Sequence, residues 1–317
     1  MKLINKIMSK INIALLSGGI SGEREISLRT GQEIYNALDK NKYKVYQYDP
    51  KTDLKQFFID ALKKKFDLVF PALHGPFGED GKLQGLLDMI GLPYVFSGTL
   101  ASALAMNKYK TKIIAKNAGL DTVLDVVLKK NDKFNLDNII KKLSWPMVVK
   151  PMELGSSVGM AIVNNKKNLI KAVKEAFCYD SEIILEKFIS GRELTVAIME
   201  NKNIKPLPVI EIIPKISAWF DYRAKYENGG SDEVCPARIS INAKNKIQAL
   251  AIKIYLAVGC KDLARADFIY SQDKFYFLEI NTIPGMTSAS LVPKAAKVAG
   301  MEFSKFLDKL IAGALKY

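Results

Sequence analysis

Along the chain, short apolar runs alternate with longer stretches in which apolar residues recur every three or four positions. The first run, Ile11–Leu16, is broken only by Asn12 and reads as a strand buried on both faces. Residues 17–22 (Ser-Gly-Gly-Ile-Ser-Gly) then turn into a helix over about 23–38. A strand at 44–48, a helix at 54–65 and a strand at 67–72 follow, the order that opens a doubly wound α/β domain. An alanine-rich helix runs from about 101 to Gly119, a glycine suited to a C-cap. Shorter elements occupy 121–190: a strand at 145–150, a Gly/Ser loop, a return strand at 160–163, a helix at 167–177 and a strand at 183–185. Residues 207–214 read as another strand, and from Lys215 all periodicity is lost for roughly 25 residues, a length that usually marks a lid. A helix at 243–258 leads to apolar runs at 266–270 and 275–280 around Ser271-Gln272-Asp273-Lys274, a β-hairpin, and helix closes the chain.

Polar groups interrupt that hairpin where only apolar residues would be expected. Glu279 and Asn281 are two apart, so on a strand they leave the same face. Asp267 lies twelve residues before Glu279, and Arg265 two before Asp267. A loop of three or five residues would set Asp267 opposite Glu279 and Arg265 opposite Asn281, gathering three oxygen ligands and one guanidinium on one patch. Hard oxygen donors suit Mg²⁺, which keeps waters and completes its shell with substrate phosphates. A metal–nucleotide site is therefore expected in preference to rim carboxylates paired with surface lysines.

Glycines cluster at two further places. Gly155-Ser156-Ser157-Val158-Gly159 can turn several N–H groups toward phosphate with Lys150 adding charge, although a plain Gly/Ser hairpin reads the same way. The P-loop spacing is absent, and the opening glycine turn does not fit the dinucleotide fingerprint. His74, the sole histidine, follows a strand end, where open α/β sheets place ligands, amid Gly75, Gly78, Glu79, Asp80 and Gly81; a structural histidine is the alternative. For Glu23 and Glu25, favouring a helix N-terminus is reason enough.

Composition narrows the partners. At 317 residues, 49% hydrophobic and 25% charged, the chain has room for two or three lobes. The formal net charge of +14 invites nucleic acid, but only six of its 47 basic residues are Arg, and the lysines are scattered rather than clustered into the stripe a duplex reader uses. Three cysteines (178, 235 and 260) without C-x-x-C spacing fit neither disulfide framework nor zinc site, so a reducing cytosol is expected. The apolar start is too short for a signal sequence, and nothing approaches the eighteen apolar residues of a membrane span.

The motifs "GGISGEREISLRTG", "HGPFGEDG", "PMELGSSVGM", Ala224-Lys225-Tyr226 and "ARADF…FLEINTIPGMTSASLVP" occur in one order over about residues 11–315. Together they resemble the D-alanine–D-alanine ligase family of the ATP-grasp superfamily. The resemblance implies an α/β, ATP-grasp fold in three lobes: an N-terminal doubly wound α/β substrate domain (1–107), a small central α+β lobe (108–190) and a C-terminal α+β lobe with an antiparallel sheet and a lid at about 217–232 (191–317). ATP would lie between the last two. It further implies that Lys108, Lys150, Ser157 and Lys225 serve the phosphates, that Glu186, Lys187 and Ile189 hold adenine, and that Glu193 takes the ribose. Asp267, Glu279 and Asn281 would hold two Mg²⁺, with Mn²⁺ able to substitute. Glu23, His74, Glu79, Arg265, Gly285, Ser290 and Leu291 would surround the two D-alanines, and Glu23, Ser156 and Tyr226 would form a hydrogen-bonded group above them. The implied product is D-alanyl-D-alanine for peptidoglycan precursors, made through a D-alanyl phosphate by a cytoplasmic homodimer that meets neither nucleic acid nor membrane. Two residues depart from the family pattern: Asn107 stands where Asp usually precedes the phosphate lysine, and Arg223 where an acidic or neutral residue is commoner. A sister ligase with D-lactate or D-serine as acceptor, and an ATP-binding regulator without chemistry, are the rival readings.

Overall fold

The computed structural model describes residues 10–216 and 229–316. It opens with β1 (Ile11–Leu16), α1 (Arg24–Ala37), β2 (Tyr43–Tyr48), α2 (Leu54–Leu62) and β3 (Leu68–Pro71). β1 lies between β2 and β3 and runs parallel to both, so each connection is a crossover carrying a helix. This placement explains the unbroken apolar run. Ile13 and Leu15 face one core with Ile34 and Phe70, while Ala14 and Leu16 face another with Phe57 and Phe66.

Next come α3 (Lys82–Met89), α4 (Thr99–Met106) and α5 (Lys108–Asn117). The alanine-rich stretch that reads as one helix is thus two. Asn107 between them is extended, and its Oδ1 accepts from the Lys110 N–H at 3.0 Å, ending one helix and capping the next. Gly119, with φ 72°, turns the chain after α5 as expected.

After the short β4 (Asp121–Thr122), the central unit is built from β5 (Asp125–Lys129), α6 (Leu136–Leu143), β6 (Met147–Pro151), β7 (Ala161–Val163), α7 (Lys166–Tyr179) and β8 (Glu182–Lys187). Its sheet, in order β5-β8-β6-β7, is antiparallel throughout. Met147, Val149, Ile183 and Leu185 face α6 and α7. The alternate residues, Val148, Lys150 and Glu186, face a cleft. Period two on β6 and β8 therefore assigns one side to the core and the other to the site.

The C-terminal sheet holds β9 (Arg192–Glu200), β10 (Ile204–Pro206), β11 (Ile210–Pro214), β12 (Ser231–Val234), β13 (Leu263–Ser271) and β14 (Lys274–Asn281). Its order is β12-β11-β9-β13-β14-β4, with β10 on β9. Helix α8 (Ile241–Val258) covers one face together with α4 and α5, burying Leu194, Val196, Ala264, Ala266 and Phe268. On the other face, Ala197, Met199 and Leu263 join a core shared with the N-terminal sheet, α9 (Leu291–Val298) and α10 (Phe303–Ala314). Packing therefore divides the molecule less evenly than chain order does, since α4 and α5 share their core with the C-terminal sheet.

Candidate functional site

The hairpin of β13 and β14 closes through two residues, Gln272 and Asp273, both left-handed with φ 49° and 57°. That corrects the expected loop of three or five. An even loop in an unbroken ladder would set Glu279 opposite Ala266, on the wrong face. Between Asp267 and Phe268 the register shifts: Phe268 pairs Phe277 but Asp267 pairs Glu279, leaving Leu278 as the extra residue. This bulge resets the parity. Asp267 does lie opposite Glu279 and Arg265 opposite Asn281, so the four side chains share one side of the sheet.

β9 completes the row, because Thr195 pairs Asp267 and Glu193 pairs Ile269. Asp267 accepts from Arg265 Nε at 2.9 Å and Nη2 at 2.8 Å, and from Thr195 Oγ1 at 2.5 Å. Burial works against the Arg265 charge, but Asp267 beside it, with Glu279 and Glu79 further off, raises its pKa. Asn281 Oδ1 accepts from the Ile283 N–H at 2.9 Å, which aims the amide. Two carboxylates and an amide offer only oxygen donors, a set that suits Mg²⁺ or Mn²⁺. Among the described residues, no three His, Cys, Asp or Glu side chains form a metal cluster.

Across the cleft, Lys150 Nζ lies 2.7 Å from Glu186 Oε2, and Glu186 Oε1 meets Lys112 Nζ, also at 2.7 Å. Burial alone would lift the Glu186 pKa, but the two ammonium groups, Lys150 first, hold it down at about 2. The Lys150 ammonium is destabilised by burial and more than compensated by Glu186. The Gly/Ser loop arches over this wall with Ser156 and Ser157 left-handed at φ 49° and 60°. Such backbone costs roughly 1–2 kcal/mol per non-glycine residue and gathers at ligand clamps. Gly159 cannot be replaced: its φ is 67°, and a Cβ there would meet Tyr179 at 2.7 Å and Pro151 at 2.9 Å. Lys108, Lys187, Ile189 and Glu193 line the same cleft. Arg192 does not engage Glu193; it forks onto Glu211, Nε and Nη2 each at 2.6 Å.

A second cleft continues the first, sharing Gly155, Ser156, Arg265, Glu279 and Leu291. Glu23, His74, Glu79, Gly285 and Ser290 line it as well. Ser156 Oγ donates to Glu23 Oε1, joining the N-terminal domain to the loop of the central unit. A Cβ at Gly155 would come within 3.2 Å of Glu23 Oε2, so a larger residue would have to displace that carboxylate. His74 Nε2 lies 3.1 Å from Thr30 Oγ1, its Nδ1 is 3.8 Å from Glu79, and Glu79 accepts from the Gly75 N–H at 2.8 Å. Both residues thus hold the glycine loop together at the pocket edge. Ser290 stands at the N-cap position of α9 without a side-chain capping bond, its Oγ instead accepting from the Thr287 N–H at 3.1 Å; Leu291 is the first helical residue, whose N–H has no partner inside the helix.

The structure thus brings the expected residues from 23 to 291 into one joined cleft, except Lys225 and Tyr226, which lie outside the described residues. Sequence reasoning missed Thr195 and Lys112. The only trace of Lys112 in the sequence is its position four residues after Lys108, one turn along the same helix.

Two family models match the chain: "D-ala D-ala ligase N-terminus" over residues 47–97 and "D-ala D-ala ligase C-terminus" over residues 114–312. A D-alanine–D-alanine ligase of Syntrophobacter fumaroxidans is 46% identical over 308 residues, covering 97% of this chain and 98% of its own. Among solved structures, a D-alanine–D-alanine ligase of Bacillus anthracis complexed with ATP aligns with TM-score 0.84 at 34% identity, over 96% of this chain and 98% of its own. A D-Ala:D-Ser ligase of Enterococcus faecalis aligns with TM-score 0.82 at 33% identity, over 96% and 99%.

Proposed function

Because the chain belongs to the D-alanine–D-alanine ligase family of ATP-grasp enzymes, we propose that its joined cleft binds ATP in the first cavity and two D-alanines in the second. The enzyme is an ATP-dependent ligase forming D-alanyl-D-alanine for peptidoglycan synthesis. Hydroxide is a poor leaving group, so the carboxylate of the first D-alanine takes the γ-phosphoryl group of ATP, releasing ADP. The amine of the second D-alanine, having lost a proton, attacks the acylphosphate; the tetrahedral oxyanion collapses and phosphate leaves.

Each residue acts by position and charge. Lys150 and Lys108 line the first cleft, and in this reading their positive charge meets the phosphates and lowers the energy of phosphoryl transfer. Lys225 joins them in this reading on sequence grounds alone, as Tyr226 joins Glu23 and Ser156. Asp267, Glu279 and Asn281 would hold Mg²⁺, two ions per site, which when bound offset charge on the β- and γ-phosphates. Ser157 and the loop N–H groups cover the phosphates, the backbone of Lys187–Ile189 takes adenine with Glu186 behind it, and Glu193 takes the ribose. Glu23 orients the amine of the first D-alanine, with His74 and Glu79 holding the wall beside it. Arg265 and the Gly285 N–H meet the oxyanion, a contribution of about 3 kcal/mol for one such donor. Ser290 and the Leu291 N–H hold the carboxylate of the second D-alanine at a helix start, where anions are favoured. Acylphosphates hydrolyse, so the Gly/Ser loop would exclude water, joined on sequence grounds alone by the lid expected at about 217–232, most of which lies outside the described residues.

The observation that carries this reading is the row Glu193, Arg265, Asp267, Glu279 facing Lys150 across one cleft. We place the enzyme in the cytoplasm as a homodimer acting on small molecules. No described helix is long and apolar enough to cross a membrane, and the scattered lysines speak against a duplex-binding stripe. Coupled ADP release with D-alanine, L-alanine, D-serine and D-lactate tests the assignment. D-alanine should be the best donor and acceptor, and L-alanine should give no ADP above background. Equal ADP release with and without D-alanine would overturn the reading.

A further inference from the structure

α5 carries a lysine at its N-terminus that lines the cleft, Lys108, and one turn later a lysine that is wholly buried, Lys112. Buried lysines are rare and need paired charges. The strands explain why one is required. β5 and β8 set Asp125 directly opposite Glu186, and both carboxylates are buried. Like charges directly opposed on neighbouring strands repel. Lys112 Nζ lies between them, 2.7 Å from Glu186 Oε1 and 3.0 Å from Asp125 Oδ1. Lys116 closes the outer end at 3.2 Å from Asp125, and Lys150 closes the cleft end at 2.7 Å from Glu186 Oε2. Five charges of alternating sign therefore run from the half-exposed Lys116 to the nucleotide wall.

The two oxygens of Glu186 are divided, one to each lysine. With Lys112 present, Glu186 can offer Lys150 only one oxygen, and its own orientation is set from behind. Without Lys112, nothing from behind would prevent both oxygens turning onto Lys150, drawing that ammonium back from the phosphates. We propose that Lys112 is a positioning residue for ATP, acting through Glu186 on Lys150. This rests on the reading of Lys150 as a phosphate-binding group.

The test compares Lys112→Met, Lys112→Arg and the charge-balanced pair Lys112→Met/Asp125→Asn. Lys116→Met serves as control, since it removes the same charge from the same chain without touching Glu186. ADP release yields kcat and KM for ATP and for D-alanine separately, and calorimetry yields the Kd for ATP without D-alanine. Lys112→Met should raise KM and Kd for ATP about tenfold or more, the loss expected of one charged hydrogen bond, while KM for D-alanine stays within about twofold. Lys112→Arg should recover most of the ATP affinity, and Lys116→Met should match wild type. If Lys112→Met does not fold, as judged by circular dichroism, the charge-balanced pair is held to the same ratios. ATP affinity within about twofold of wild type in a folded variant lacking Lys112, or an equal loss in Lys116→Met, would overturn the proposal. Should wild type bind ATP yet release no ADP with D-alanine, the ligase reading fails while the calorimetry still judges Lys112.

Discussion

Asp267 accepts three hydrogen bonds, two from Arg265 and one from Thr195, and those bonds aim what remains of its lone pairs at the cleft. Partners behind a ligand commonly account for tenfold or more in metal affinity. Thr195→Val keeps the shape and removes the hydroxyl, so the Mg²⁺ concentration for half-maximal turnover should rise about tenfold, with kcat recovered at saturating metal. An unchanged Mg²⁺ titration would show that Thr195 merely packs. Glu279 stands opposite Asp267 and, in the proposed site, would help hold Mg²⁺. Glu279→Gln should fold normally and lose well over nine-tenths of activity, since one lost charge contact on the transition state costs about 3 kcal/mol. Retention of more than about a tenth of the wild-type rate would remove Glu279 from the metal set.

At the scale of elements, the hairpin and the break at Asn107 place the most chemistry. The two-residue turn needs both central residues at positive φ, a demand best met by Asn-Gly. Gln272 and Asp273 meet it at a cost. Gln272→Asn should stabilise the protein by about 0.5 kcal/mol, raising the thermal midpoint by roughly 1–2 °C with turnover unchanged. A lower midpoint would mean that the Gln272 side chain makes a contact worth more than the backbone strain. Asn107 shows the complementary case. Its amide donates to Glu153 Oε1 at 2.7 Å while its Oδ1 caps α5. An aspartate there could do only the second, so the departure from the family pattern leaves Lys108 at a capped helix start and ties that start to the Gly/Ser loop.

At the scale of the molecule, Asp262 joins distant parts. Its carboxylate accepts from the Phe96 N–H at 2.9 Å, its carbonyl accepts from the Glu200 N–H at 2.7 Å, and a Cβ at Gly313 would touch it at 3.1 Å. Burial, helped by the nearby Glu200, pushes its pKa up to about 6 against the pull of Lys261 and the Phe96 N–H. An acid raised in the fold binds its proton there before it does in the unfolded chain, so ionising it weakens the fold. That penalty is absent below about pH 4, grows as pH rises through about 6, and then levels at about 3 kcal/mol. Asp262→Asn keeps the acceptor and suits the left-handed backbone, φ 59°. Its thermal midpoint should exceed that of wild type by several degrees at pH 8 and by almost nothing at pH 4. A gap that is constant with pH would show that backbone strain, and not charge, separates the two proteins.

Period and spacing made much of this protein legible from sequence. The apolar run of β1 announces a strand covered on both faces, and Glu279 with Asn281 announces a strand whose one face holds ligands, because side-chain direction follows position within an element. Motif order carried the family and most of the cleft. Tertiary structure decided what depends on relations between elements. Whether Asp267 meets Glu279 rested on Leu278 being absorbed in a bulge, which no count of residues reveals because an odd loop and an even loop plus a bulge give the same pairing. Thr195 reached Asp267 only through the register of β9 on β13, 72 positions apart. Lys112, on a stretch that by sequence reads as part of one alanine-rich helix, lay buried because two strands elsewhere had set Asp125 against Glu186, with its ammonium between the two carboxylates. Side-chain direction is a local property of the chain, whereas a buried charge takes its partner from whatever the fold brings within about 3 Å.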